Sequence, residues 1–134
     1  GKSKTDVVIS DGEIDYPKAT KVNVLLAMSQ PALDEYVGSL QPGGMLVVDS
    51  YLVEEPGRAA AIDIPFPMLA LEECGRKLFA IVVALGAVAE LTQAVTWDSL
   101  RSAVLARVPK GTEKINDNAL DVGRQAARQF LEGK

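Results

Sequence analysis

The stretch from Lys77 to Gln93, KLFAIVVALGAVAELTQ, constrains the fold more than any other part of the chain. From Leu78 to Ala89 it carries no charge, and its apolar residues point to every side of a helical wheel. A helix that is apolar all round is buried, and this run stops at Glu90, short of the roughly 20 residues that a membrane span needs. We therefore predict a central core helix. Gly86 is expected to let another backbone approach closely, and an acidic residue at Leu85 to abolish folding.

The composition excludes most self-contained catalytic or metal sites. The 134 residues include one cysteine, no histidine and a net charge of −4. Without histidine there is no Ser–His or Cys–His pair, and Cys74 alone cannot form an internal disulfide or hold zinc or an iron–sulfur cluster. We therefore expect no catalytic residue and no metal ligands on this chain.

The same composition bounds the partners and the compartment. Mild acidity and the lack of a basic run argue against nucleic acid as the main partner. The N-terminal residues show no apolar signal-peptide region, and a lone cysteine is typical of a reducing compartment. We predict a cytoplasmic protein without a membrane segment, forming a single domain over residues 1–134.

Apolar and β-branched runs predict a sheet in the first half of the chain. The predicted strands are Thr5–Ser10, Lys21–Met28, Met45–Asp49 and Ala61–Ile64, with loops at Glu13–Thr20 and Tyr51–Ala61. The nearly continuous apolar second run is typical of a strand buried on both faces of a parallel sheet. Between it and the third strand, Ser29 as an N-cap predicts a helix that reaches about Leu40 and stops at Gln41-Pro42-Gly43-Gly44. Strand, helix and strand in this order indicate a βαβ unit.

Helices dominate the second half. Besides the core helix, the sequence predicts helices at Met68–Cys74, Trp97–Val108 and Glu113–Leu131. Their expected core faces are Leu100, Val104 and Val108 in one, and Ile115, Ala119, Val122 and Ala126 in the last. The predicted fold class is α/β, a short, mostly parallel sheet with helices on both faces, followed by a helical C-terminal third.

Polar residues follow the predicted strands. They are Ser10, Asp11, Ser29, Gln30, Asp49 and Ser50. In open parallel sheets ligands meet the loops beyond the carboxyl ends of the strands, so this cluster is the candidate binding site for a phosphate or a thioester. The alternative is that Ser29 only caps its helix while Ser10 and Asp11 form a turn.

Two further sites each have two interpretations. Cys74 has Arg76 and Lys77 nearby, which favour a thiolate, but a half-buried cysteine usually behaves as a small hydrophobe. Asn116 and Asn118 either contact a partner chain or are ordinary polar residues at the start of a helix.

In combination these segments resemble the gamma subunit or domain of the 2-oxoacid:ferredoxin oxidoreductases. The matching residues, in order, are Val7-Val8-Ile9-Ser10-Asp11, Pro42-Gly43-Gly44 with Leu46-Val47-Val48-Asp49-Ser50, Ile64-Pro65, Val83-Ala84-Leu85-Gly86-Ala87, and Lys114-Ile115-Asn116 with Ala119 and Gly123. Two features depart from the family. Ile81 stands where the family usually has Asn. The family's N-terminal Gly-rich segment is expected to be missing from this sequence, which would start at the end of that stretch, with Gly1, and form the C-terminal larger part of a gamma domain.

The resemblance implies a Rossmann-like fold, similar to domain III of pyruvate-ferredoxin oxidoreductase, and a role in a heteromeric enzyme. Such enzymes oxidatively decarboxylate a 2-oxoacid to an acyl-CoA and reduce ferredoxin. The resemblance places thiamine diphosphate on alpha and beta subunits and [4Fe-4S] clusters on a ferredoxin-like delta subunit. This chain would be an accessory subunit, on the side of coenzyme A.

Two alternatives remain open from the sequence. The strand-end cluster also suits a stand-alone nucleotide- or CoA-binding α/β module. The isolated chain is also compatible with a structural role as a homodimer.

Overall fold

The computed structural model describes residues 7–9, 22–50, 61–93 and 95–133. The chain forms two compact units, residues 1–64 and residues 65–134. Within the described residues, the first unit holds every strand and the second unit is helical. That the whole chain forms a single domain stays a prediction. The loops predicted at Glu13–Thr20 and over residues 51–60 lie outside the described residues and also stay predictions.

The first unit contains a four-stranded sheet in the order β1-β2-β3-β4. The strands are β1 Val7–Ile9, β2 Val22–Ala27, β3 Leu40–Asp49 and β4 Ile62–Ile64. Strands β2, β3 and β4 are parallel, and β1 pairs antiparallel with β2. The predicted α/β class with a mostly parallel sheet is confirmed.

The predicted βαβ unit is present between β2 and β3. Helix α1, Gln30–Tyr36, connects them, and the Ser29 side chain accepts a hydrogen bond from the Ala32 amide at 3.3 Å, as expected of an N-cap. The apolar core of this unit is formed by Leu25, Ala27, Leu33, Leu40, Leu46 and Val48. Leu26 and Val47, which alternate with these residues in the strands, are also fully buried, so both faces of the sheet are covered there.

The predicted end of the first helix is wrong. The α-helix stops at Tyr36, a 3₁₀ turn covers Val37–Ser39, and Leu40 already belongs to β3. The register along β2 jumps from the pair Val22–Leu40 to the pair Val24–Met45. The Gln41–Gly44 stretch is therefore an irregularity inside a strand, because Pro42 has no amide to donate to the ladder.

The second unit contains four α-helices in its described residues. They are α2 Phe66–Cys74, α3 Ala80–Thr92, α4 Trp97–Leu105 and α5 Glu113–Glu132, with a 3₁₀ turn at Lys77–Phe79 before α3. All four lie where the sequence predicts helices. None of the helices in the described part of the chain is long and apolar enough to cross a membrane.

Helices α3 and α5 cross with their backbones in contact. A Cβ atom built on Gly86 would overlap the carbonyl oxygen of Leu120, and one built on Gly123 would overlap the carbonyl oxygen of Val83. Both glycines are buried, and each lies against the other helix's main chain. The predicted close approach at Gly86 is confirmed, and the approaching backbone is that of α5.

The buried surface of α3 is narrower than predicted. Ala80, Val83, Ala84 and Gly86–Ala89 are buried, but Leu85 is half-buried, and Leu78 in the preceding turn is 58% exposed. Small side chains form the buried surface because the crossing with α5 leaves no room for larger ones. Val83, rather than Leu85, is therefore the position most sensitive to a charge.

The predicted core faces of the other helices need correction. The buried residues of α5 are Asn116, Ala119, Leu120, Gly123 and Ala127, whereas Ile115 is 42% exposed. The buried face of α5 differs from the predicted one because it includes a polar residue, Asn116, and a glycine, Gly123. A search for regularly spaced apolar residues does not detect such positions. In α4 no residue is buried, and Leu100 and Val104 are only half-covered.

Candidate functional site

The structure brings four of the six predicted site residues to one edge of the sheet. Strands β2 and β3 are parallel, and Ala27 pairs with Val48. Ser29 and Gln30, which follow β2, therefore lie at the same edge as Asp49 and Ser50, at the end of β3. This is the carboxyl edge at which ligands of open parallel sheets bind.

Most of these four side chains serve the local fold. Ser29 Oγ caps α1, and Gln30 Nε2 donates to Asp34 Oδ1 at 3.0 Å, one helical turn further on. Asp49 is fully buried, so its side chain is part of the interior of this unit rather than of the exposed edge. Only Ser50 is well exposed, and its amide donates to the Ile64 carbonyl oxygen at 3.1 Å.

The remaining two residues, Ser10 and Asp11, lie outside the described residues. The strand that precedes them does not have the direction that the predicted cluster needs. Because Val7 pairs with Leu26 and Ile9 pairs with Val24, β1 is antiparallel and ends at the opposite edge of the sheet. The ends of β2 and β3 therefore share one edge of the sheet, and the end of β1 lies at the other edge.

A charged cluster that the sequence analysis missed joins three helices of the second unit. Glu90 of α3 accepts hydrogen bonds from Arg124 Nε at 3.3 Å and from Arg128 Nε at 3.0 Å, both on α5. The guanidinium of Arg124 also lies 4.4 Å from the centre of the Trp97 ring of α4, within cation–π range. The hydrogen bond from Arg128 has the largest effect on the pKa of Glu90. Burial opposes it, but the hydrogen bond from Arg124 and the charges of both arginines add to it, so this pKa is lowered.

Two features of the sequence are compatible with this cluster. Glu90 is the first charge after the apolar run, and two arginines four residues apart lie on one side of α5. The contacts of these arginines bind α5 to α3, with a separation of 34 and 38 residues along the chain.

The environment of Cys74 contradicts the thiolate interpretation. Burial is the largest cause that raises the pKa of this thiol, and the charge of Glu73 raises it further, while a hydrogen bond from Asn118 acts in the opposite direction. The half-buried side chain fits the alternative of a small hydrophobe.

The two asparagines of α5 have different surroundings. Asn116 is buried and its Nδ2 donates to the carbonyl oxygen and the hydroxyl of Thr112, at 3.0 and 3.1 Å. Asn118 is exposed, and its Nδ2 donates to the Glu73 carbonyl oxygen at 3.2 Å. Asn116 is therefore a helix-start residue, and Asn118 connects α5 to the end of α2.

The chain does not fit a metal cluster. A [4Fe-4S] cluster is held by four cysteine thiolates, and these 134 residues contain one cysteine and no histidine. Among the described residues there is also no group of three or more His, Cys, Asp or Glu side chains that could hold a metal ion.

Comparison with known proteins gives matches along nearly the whole chain. A sequence model of the family described as pyruvate ferredoxin/flavodoxin oxidoreductase matches residues 1–128. The 2-oxoglutarate synthase subunit KorC of Methanocaldococcus jannaschii is 40% identical over 135 residues, which cover 97% of this chain and 72% of the relative. The ketoisovalerate oxidoreductase subunit VorA of Methanothermobacter thermautotrophicus is 32% identical and covers 100% of this chain, but only 29% of VorA is matched.

The fold is also that of a solved gamma subunit. The crystal structure of the keto/oxoacid ferredoxin oxidoreductase gamma subunit from Geobacter sulfurreducens PCA superposes with a TM-score of 0.76 at 34% identity. The superposition covers 81% of this chain and 65% of that subunit. These matches confirm the resemblance and the oxidoreductase class that the sequence analysis proposed.

Proposed function

The chain belongs to the pyruvate ferredoxin/flavodoxin oxidoreductase family, and from this premise we propose that it is the gamma subunit of a heteromeric 2-oxoacid:ferredoxin oxidoreductase. The enzyme would oxidatively decarboxylate a 2-oxoacid to an acyl-CoA and pass the electrons to ferredoxin. The observation that carries the proposal is the 40% identity to KorC over 97% of the chain. Because VorA, named for ketoisovalerate, also matches over the full chain, the proposal is made for the 2-oxoacid class.

The composition supports a division of the work among subunits. One cysteine and no histidine provide neither cluster ligands nor a nucleophile–base pair, so the chemistry belongs to the partner subunits. We assign thiamine diphosphate to alpha and beta subunits and the [4Fe-4S] clusters to a ferredoxin-like delta subunit. The gamma chain is an accessory and assembly subunit of this complex, and we place the complex in the cytoplasm.

Affinity purification from the native cell tests the assignment. A tag on this chain is expected to recover alpha, beta and delta partners in equal amounts, together with thiamine diphosphate, iron and acid-labile sulfide. The same preparation should reduce ferredoxin only when a 2-oxoacid and CoA are both added. A chain recovered alone, without partners or cofactors, would overturn the proposal.

We propose that any contact of this chain with coenzyme A is made at the β2–β3 carboxyl edge. The exposed Ser50 and the half-buried Ser29 are the residues of the predicted cluster best placed to meet an anionic ligand there. An acidic side chain at Ser50 would repel the CoA phosphates.

Steady-state kinetics of the assembled enzyme test this contact. Ser50→Asp is expected to raise the KM for CoA and to leave the KM for the 2-oxoacid unchanged. The matched control is Ser102→Asp, which adds the same charge at an exposed position of α4. Equal KM values for CoA in both variants and the wild type would remove this edge from the CoA site.

A further inference from the structure

Helix α4 is attached to its unit without a buried side chain. None of the residues Trp97–Leu105 is buried, and the large apolar ones are only half-covered. A helix normally docks by burying an apolar stripe, and this stripe is incomplete. Other contacts must therefore account for most of the specific attachment of α4.

Those contacts are charged and lie on α5. Arg101 forms a bidentate pair with Asp117, at 2.6 and 3.1 Å, and its side chain and that of Asp117 are 48% and 38% exposed. The second contact is the Trp97 ring under the guanidinium of Arg124. Ion pairs between exposed side chains are weak and are screened by salt.

A polar groove lies along the contact between α4 and α5. It has a volume of about 380 Å³ and is lined by Trp97, Arg101, Lys114, Asp117, Asn118 and Asp121. Water and salt ions therefore reach the groups that hold the two helices together, so added salt acts on them directly.

The backbone on either side of α4 has a left-handed residue. Gln93, at the end of α3, has a φ of 56°, and Gly111, before α5, has a φ of 91°. The end of α3 and the approach to α5 are therefore turns that lie outside α4. Helix α4 also has its own N-cap, because Thr96 Oγ1 accepts a hydrogen bond from the Ser99 amide at 3.2 Å. The neighbouring helices need not unwind when α4 moves.

We propose that α4 is a detachable helix that leaves α5 as the ionic strength rises, while α3 and α5 stay packed. Nine residues are too few for a stable isolated helix, so detachment also unwinds α4. Helices α3 and α5 remain associated because their backbones contact each other at Gly86 and Gly123 over a buried apolar surface, which salt does not weaken.

The single tryptophan makes the test direct. Trp97 is the only tryptophan among the 134 residues, so its fluorescence reports on the start of α4 alone. Acrylamide quenching and amide hydrogen exchange of the full chain are measured from about 0.1 M to about 1 M NaCl, over which the Debye length falls from about 10 Å to about 3 Å. We expect Trp97 quenching to rise about twofold and α4 amides to exchange about three- to tenfold faster, as the loss of such contacts implies.

A pair of arginine variants separates the proposal from a general salt effect. Arg101→Gln at low salt should reproduce the fast exchange of α4. Arg107→Gln should not, because the Arg107 side chain donates its hydrogen bond to the Ala103 carbonyl oxygen of α4 and not to α5. Exchange in α3 and the middle of α5 should stay within about twofold in every case, because the close backbone contact at Gly86 and Gly123 is apolar and persists when salt weakens the pairs of Glu90 with Arg124 and Arg128.

Two results would overturn the proposal. One is Trp97 quenching and α4 exchange that do not change with salt or with Arg101→Gln. The other is exchange that accelerates equally in α3, α4 and α5, which would mean that the whole unit opens at once.

Discussion

Substitution of Gly123 by alanine tests the crossing of α3 and α5. The added methyl would overlap the Val83 carbonyl oxygen and lie 2.8 Å from the Ala87 amide nitrogen. Both are backbone atoms of a helix, which cannot rotate away as a side chain would. The two helices must separate instead, and their buried small residues then lose contact along the whole crossing.

The magnitude follows from two opposing effects. Overpacking costs about 1–3 kcal/mol, and the upper end applies here because only backbone can yield. Alanine in place of glycine inside a helix stabilises the helix by about 1 kcal/mol. We therefore expect Gly123→Ala to lower the free energy of unfolding by about 2 kcal/mol and the melting temperature by about 8 °C. Gly86→Ala, which meets the Leu120 carbonyl oxygen, should behave alike.

Urea unfolding followed by circular dichroism measures this effect, and Gly133→Ala is the matched control. Gly133 lies at the end of the same helix, where a Cβ would be 3.5 Å from the Gln129 carbonyl oxygen, an ordinary contact. Because one separation of the helices relieves both overlaps, the Gly86→Ala, Gly123→Ala double variant should lose less than the two single losses combined. Stability of Gly123→Ala equal to that of Gly133→Ala would refute the close crossing.

Three further changes test other parts of the structure. Val83→Asp should abolish soluble expression, because an unpaired carboxylate at a fully buried position costs several kcal/mol. Leu85→Asp should have a milder effect, because Leu85 is only half-buried. Equal yields of the two variants would contradict the difference in burial between these positions. Glu90→Gln should lower the free energy of unfolding by about 1 kcal/mol at neutral pH, with the exposed Glu72→Gln as control. Arg128 and Arg124 lower the pKa of Glu90 in the folded chain. The contribution of Glu90 to stability is therefore complete above the ordinary carboxyl pKa of about 4.3 and disappears as the pH falls through the lower, folded-state pKa. The free energies of unfolding of wild type and Glu90→Gln, measured by urea titration, should converge at acid pH. Cys74 should react with iodoacetamide at neutral pH more slowly than a free thiol, because burial raises its pKa, and faster alkylation than that of glutathione would exclude this.

Local signals in the sequence were sufficient for most of the fold. Ser29 before an apolar-periodic segment indicates an N-cap, and its side chain does accept a hydrogen bond from the first turn of α1. The continuous apolar runs of β2 and β3 correctly indicated parallel strands buried on both faces. These features depend on residues only a few positions apart, which is why the sequence alone reveals them.

The errors concern relations that no local pattern encodes. The buried face of α5 includes Asn116 and Gly123, and an apolar count therefore assigned the face to Ile115 instead. The direction of β1 depends on its pairing with β2, which a three-residue strand does not specify. The same limit applies to Glu90, whose arginine partners are more than thirty residues away.

For the candidate site, the sequence indicated which residues share one edge of the sheet but not the contacts of each side chain. The run of polar residues after β2 and β3 does place Ser29 and Ser50 at one edge. That Asp49 is completely buried depends on packing around β3, which a strand-end position alone does not determine.

The measurement that tests the central claim most directly is the dependence of enzyme activity on this chain. The complex purified from the native cell is assayed for CoA-dependent oxidation of 2-oxoglutarate and of branched 2-oxoacids, with ferredoxin as acceptor, before and after removal of this chain. If the chain is the gamma subunit, activity is lost on removal and returns when the purified chain is added back. Full activity without the chain, or no 2-oxoacid oxidation in any fraction that contains it, would contradict the account.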